Sequence, residues 1–119
     1  MSSPLVCIID DDHSVRLATG SLVRSLGYAV ATFDSADAFL AARSGLQPTC
    51  IICDVQMPGL SGIDLYDRLA TEPAPPPIVF ITAFSQERVR QRAGDSACIL
   101  GKPFAAEALA DCLERLVRH

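Results

Sequence analysis

Apolar residues along the chain fall into two alternating textures. Continuous runs recur at LVCII (5–9), CIIC (50–53) and VFI (79–81), with shorter ones in YAVATF (28–33) and ACIL (97–100). Runs without strict alternation suit strands covered on both faces, as in a parallel sheet. Between them the period turns helical. Val15, Ala18, Leu22 and Leu26 share one face, then Ala36, Phe39 and Leu40, then Leu65, Tyr66 and Leu69, and finally Leu109, Cys112, Leu113 and Leu116. Ser35 is placed to cap the second of these helices, and Gly27 to end the first.

The order is strand then helix, five times over, and right-handed crossovers put the helices on both faces of one sheet. The expectation is an α/β, doubly wound parallel sheet in a single domain over residues 1–119. A chain of 119 residues, half of them apolar, buries about two-thirds of its unfolded surface in one core. The proline run TEPAPPP (71–77) reads as a stiff connection into the fourth strand. In such a sheet ligands bind beyond the carboxyl ends of the strands. Those ends carry Asp10-Asp11-Asp12, Asp54, Thr82-Ala83 and Lys102-Pro103.

Charge narrows the partners. With 14 acidic and 10 basic residues the formal charge is −4, and no Lys/Arg cluster is dense enough to track phosphates, so direct nucleic-acid binding by this domain is not expected. Met1 to Pro4 lead into a short apolar run without a basic start, which predicts a soluble, cytoplasmic chain with no membrane contact. The five cysteines lie mostly inside apolar runs and read as small buried hydrophobes. CIIC has redox-motif spacing, but strand alternation sends Cys50 and Cys53 to opposite faces. The redox and zinc readings are set aside.

The acids need another account. One aspartate suffices to cap a helix, and Asp12 is best placed for it. If Asp10 and Asp11 meet Asp54 across neighbouring strand ends, each pair ~5 Å apart repels by roughly 3 kcal/mol at an effective dielectric near 20. A cation relieves this, and hard oxygen donors without a His/Cys set favour Mg²⁺ over zinc. Lys102 faces the same edge, where its ammonium neutralises added negative charge on Asp54. Thr82 offers a hydrogen bond to the same place.

These residues carry a family resemblance. IIDDD (8–12), CDVQMPGLSG (53–62), FITA (80–83) and GKPF (101–104), in this order and spacing, make the chain resemble the response-regulator receiver domain of two-component signalling over essentially its full length. SADAFLA (35–41) is similar to the receivers of helix-turn-helix transcriptional regulators. The resemblance implies a flavodoxin-like sheet of five strands in order 2-1-3-4-5. It implies Asp54 as phospho-acceptor from a sensor histidine kinase, and Asp11, Asp54 and the Gln56 backbone carbonyl as Mg²⁺ ligands, with Asp10 acting through water. Thr82 matches the switch hydroxyl and Lys102 the family lysine. The Gln56 and Ala83 backbones match the phosphoryl-binding positions, and the Lys102-Pro103 bond one that is cis in the family. Homodimerisation on phosphorylation is a further implied possibility.

Two departures stand out. Ile99 occupies the switch position that is usually aromatic, three residues before the lysine. The interval from Thr82 to Lys102 is also shorter than is common, which predicts a truncated or irregular helix around QERVRQRAGDS (86–96). Gln56 and Phe84 match the positions flanking the approach of hydrolytic water, and the ring of Phe84 is expected to exclude it. Two other classes compete. A Mg²⁺-dependent aspartyl-phosphate phosphatase needs a second acid where Gln56 stands. A degenerate scaffold has no use for the intact Asp, Thr and Lys set, and a flavodoxin-like binder lacks its Ser/Thr-rich loop after the first strand.

Overall fold

The computed structural model of the chain describes residues 4–83, 86–94 and 97–117. Five strands alternate with five α-helices: β1 Leu5–Ile9, α1 His13–Ser25, β2 Ala29–Phe33, α2 Ala36–Ala42, β3 Cys50–Asp54, α3 Gly62–Leu69, β4 Ile78–Thr82, α4 Gln86–Ala93, β5 Cys98–Gly101 and α5 Ala106–Val117. The strands form one parallel sheet in the order β2-β1-β3-β4-β5. Burial follows that order. Every residue of central β3 and of β4 is buried, whereas edge strand β2 has none fully buried.

Strand alternation divides the core into two layers. Cys7, Ile9, Ile51, Cys53 and Phe80 face Phe39 of α2, Leu65 and Leu69 of α3, and Val89 of α4. Val6, Ile8, Cys50, Ile52 and Val79 face Val23 of α1 and Leu109 and Leu113 of α5. Cys50 and Cys53 thus lie in opposite layers, and all five cysteines are free and buried. Among the described residues, no helix is long and apolar enough to cross a membrane.

Helix starts follow the local chemistry. The Asp12 carboxylate accepts from the Val15 amide at 3.1 Å, and the Ser35 hydroxyl from the Ala38 amide at 3.0 Å. Ser61 and Asp64 form a reciprocal capping box on α3. Gly27, at φ 99°, adopts the left-handed conformation just after α1.

The first helix corrects the expected face. Thr19, Gly20 and Val23 are buried, while Ala18 is exposed, Leu26 is 40% exposed, and Val15 and Leu22 are only half-buried. Gly20 lies against Val30 and Thr32 of β2, so a face of small residues packs on the sheet. The larger Val15 and Leu22 turn toward Phe104 in a groove beside α1. Hydrophobic periodicity registers apolar size and misses a face chosen for close approach. The fourth helix is short, as expected, but it is a regular α-helix of eight residues with Val89 alone buried. Asp95, Ser96 and Phe84 lie outside the described residues.

Gly62 fixes how α3 meets the end of β3. Its amide donates to the Val55 carbonyl at 3.0 Å, and a Cβ there would stand 2.7 Å from the Asp54 carbonyl oxygen and 3.0 Å from Val55 Cα. Neither backbone atom can yield as a side chain does. Gly62→Ala is expected to destabilise the fold by about 1–3 kcal/mol in urea titrations. Gly45→Ala, where nothing lies within 4 Å, should change stability by less than about 0.5 kcal/mol.

Candidate functional site

Parallel register brings the acidic strand ends together. Ile9 of β1 pairs with Cys53 of β3, so the next residues, Asp10 and Asp54, emerge side by side. Both are buried, at 3% and 5% exposure, while Asp11 is exposed. Oxygen atoms of Asp10, Asp11 and Asp54 all lie within 4.8 Å of one another, the one such acidic trio among the described residues. Asp12 is spent on capping α1, as expected, and its amide donates to Asp10 Oδ1 at 2.9 Å.

The cation comes from two strands away. On the far side of β4, Gly101 pairs with Thr82, and the Lys102 amide extends that ladder to the Thr82 carbonyl at 2.8 Å. The Lys102 side chain then reaches back, placing Nζ 3.0 Å from Asp54 Oδ2 and 3.3 Å from Asp10 Oδ2. The Lys102–Pro103 peptide bond is cis. Burial pushes the Asp54 carboxyl above its usual value, and the Asp10 charge adds to this. The Lys102 hydrogen bond and charge and the Gln56 amide, which donates to Asp54 Oδ1 at 3.2 Å, oppose it without cancelling it. Partial burial of Lys102 disfavours its charged form, yet the two carboxylates more than offset this and hold its ammonium above the usual value.

Thr82, fully buried, donates its hydroxyl to Gln56 Oε1 at 3.0 Å. Ala83 follows at the exposed rim. Ile99 pairs with Phe80 and belongs to the core layer that includes Val89. Two contacts have no signal in the sequence pattern. Arg16 Nη1 bonds the Asp10 carbonyl at 2.7 Å from the first turns of α1, and the Gln56 side chain engages Thr82. Arg16 stands six residues after Asp10, at the start of the amphipathic stretch, a placement that a helix beginning at residue 13 makes reachable.

The raised Asp54 value carries a sign. The folded chain holds a proton on Asp54 at pH values where the unfolded chain has released it, so stability falls as pH rises from the ordinary carboxylate value of 3.8 through the folded value. Without divalent metal, the Asp54→Asn variant should lack this fall. Its melting temperature should exceed that of the unsubstituted chain by a few degrees at neutral pH, the gap closing below about pH 4, as thermal scans across pH would show.

Residues 6–114 match the response regulator receiver domain family. The transcriptional regulatory protein FixJ of Bradyrhizobium diazoefficiens is 36% identical over 116 residues, covering 96% of this chain and 57% of that protein. Among solved structures, the response regulator StyR is 39% identical with a TM-score of 0.85, over 98% of this chain and 60% of that one. The chemotaxis protein CheY4 of Vibrio cholerae is 27% identical with a TM-score of 0.84, over 97% and 99%. The chain spans about half the length of the curated relatives it matches. With its five parallel strands in the order 2-1-3-4-5 and an acidic cluster at their carboxyl ends, the chain belongs to the response-regulator receiver family of two-component systems.

Proposed function

We propose that the chain, as one receiver domain over residues 1–119, accepts a phosphoryl group on Asp54 from a sensor histidine kinase and passes the signal to an output or partner surface. The observation that carries this reading is the buried Asp54 carboxylate at the end of β3, held by Lys102 Nζ at 3.0 Å. A charge in that position has no role in packing and is costly to desolvate. In the transfer, an Asp54 oxygen attacks phosphorus as the phosphorus–nitrogen bond of the donor phosphohistidine breaks, and the departing ring, carrying a proton on its other nitrogen, leaves as a neutral imidazole. Lys102 then neutralises the new anion, and the Gln56 and Ala83 backbones meet its oxygens. Thr82 turns from Gln56 to a phosphoryl oxygen.

The donor set also fits Mg²⁺. Asp10, Asp11 and Asp54 offer hard oxygens with no His or Cys among them, and three carboxylates against one ammonium leave two negative charges uncompensated. Asp11, Asp54 and the Gln56 carbonyl would hold the ion directly, and Asp10 through water. When bound, it offsets acidic repulsion and screens the incoming phosphoryl anion. The domain turns over no small-molecule substrate of its own. The phosphatase alternative lacks the second acid its chemistry needs, because Gln56 stands there. Dimerisation on phosphorylation and a cytoplasmic site of action belong to the same reading. On the same reading this domain itself makes no nucleic-acid contact.

Acetyl phosphate with Mg²⁺ should add one phosphoryl group to the chain by intact mass, and beryllofluoride should occupy the site by fluorine resonance. Both signals should vanish on chelation and in the Asp54→Asn variant. Labelling that persists in that variant sinks the assignment.

Thr82 must leave Gln56 to reach a phosphoryl oxygen, so the 3.0 Å bond between them opposes the switch. Gln56→Ala removes that opposition and leaves the backbone carbonyl in place. A net hydrogen bond of about 1 kcal/mol predicts a midpoint for beryllofluoride binding roughly five-fold lower than in the unsubstituted chain. An unchanged or higher midpoint would show that the bond does not restrain Thr82.

A further inference from the structure

One group of nucleophiles has no part in phosphoryl transfer. Cys7, Cys50 and Cys53 are sealed in the core at 0% exposure, whereas Cys98 at the start of β5 and Cys112 on α5 are 3% and 6% exposed. A single cation serves both of the latter. Arg115 Nη2 lies 2.7 Å from Cys98 Sγ, and the Cys112 thiol interacts with Cys98 and with Arg115. Cys112 and Arg115 are three positions apart on α5, so they share a helix face. Arg115 is exposed, with Asp111 and Glu114 close by in sequence, yet its guanidinium rests on sulfur. Among the described residues, this guanidinium–sulfur contact sets the pair apart from Cys7, Cys50 and Cys53.

Access is also present. A cavity of about 270 Å³ opens onto Cys98, walled by Tyr66, Phe80, the Pro75 to Pro77 run and Leu116. It has room for a small oxidant. We infer that Cys98 and Cys112 form an oxidisable thiol pair, in which Cys98 reduces a hydroperoxide and Cys112 closes a disulfide between β5 and α5.

The steps balance. The Cys98 sulfur attacks one peroxide oxygen, the oxygen–oxygen bond breaks, and the departing hydroxide leaves as water with the proton that the Cys98 thiol gives up. Cys98 is then a sulfenic acid. The Cys112 sulfur attacks the Cys98 sulfur, the sulfur–oxygen bond breaks, and a second water leaves with the Cys112 proton. One hydrogen peroxide is reduced to two waters as two thiols become one disulfide. Burial pushes the Cys112 thiol up to about 11, which suits the partner that waits as a thiol until the sulfenic acid forms beside it. The redox spacing in CIIC is separated by the sheet, whereas this pair is joined across a strand–helix contact.

The test uses the reduced full chain, exposed to hydrogen peroxide under native conditions and then alkylated. The expected product is lighter by two hydrogens, with a Cys98–Cys112 linkage in its peptide map. Cys112→Ser should stop at a sulfenic acid on Cys98, captured by dimedone, and Cys98→Ser should leave residue 112 unmodified at the same dose. Arg115→Gln keeps both thiols and should slow oxidation several-fold with an unchanged circular dichroism spectrum. The Asp54→Asn variant should oxidise like the unsubstituted chain, so the result stands apart from the phosphoryl reading. Oxidation that spreads equally to Cys7, Cys50 and Cys53, a wild-type chain that stops at sulfenic acid, or an undiminished rate in Arg115→Gln overturns the inference.

Discussion

The contact of one ammonium with two buried carboxylates is the constraint around which the molecule is arranged. Lys102 Nζ meets Asp54 at 3.0 Å and Asp10 at 3.3 Å. At an effective dielectric near 20 the first contact is a gross attraction of about 5 kcal/mol, before the desolvation of both charges is subtracted. That cation, together with the Asp12 and Gln56 amides, offsets the cost of keeping Asp10 and Asp54 under cover. Its source is two strands away, since β4 lies between β3 and β5, and strands stand about 4.8 Å apart. A lysine stem is long enough to cross that gap, passing the end of β4 where Thr82 sits. Parallel register, the short link after β5 and the flush start of α3 at Gly62 all serve to bring these groups to one edge.

Much of this is legible in the sequence because burial and charge conflict openly there. Apolar runs without alternation announced the central strands, and Asp10 and Asp54 announced the site by ending such runs. The sheet order came from family likeness instead, because run spacing does not say which strands pair. What the sequence does not display is governed by shape and not by polarity. The buried face of α1 is Thr19, Gly20 and Val23, a small-residue face that a hydrophobic period passes over. Cys98 and Cys112 looked like the other cysteines because composition cannot show that Arg115 lies on one sulfur. The family motif around Gln56 points to its backbone and to the approach of water, while its side chain holds Thr82, a contact between residues 26 positions apart.

That last contact bears on how a receiver with Ile99 can switch. Thr82 is fully buried, and a buried hydroxyl without a partner costs roughly 1–3 kcal/mol. Ile99 can supply no hydrogen bond to it, and Gln56 Oε1 does at 3.0 Å. On the proposed reading, Thr82 therefore exchanges one acceptor for another, moving from an amide oxygen to a phosphoryl oxygen, and never stands unpaired. The exchange has a second consequence at the same atom. While Thr82 is held, the Gln56 side-chain carbonyl is occupied in part by a hydroxyl. Once Thr82 moves, that carbonyl is released beside the newly formed phosphoryl group. A water there gains an acceptor at the moment when its attack becomes productive. On that proposal, the residue that restrains the switch before phosphorylation is also the residue placed to help reset it afterwards, and an apolar side chain at position 56 could do neither.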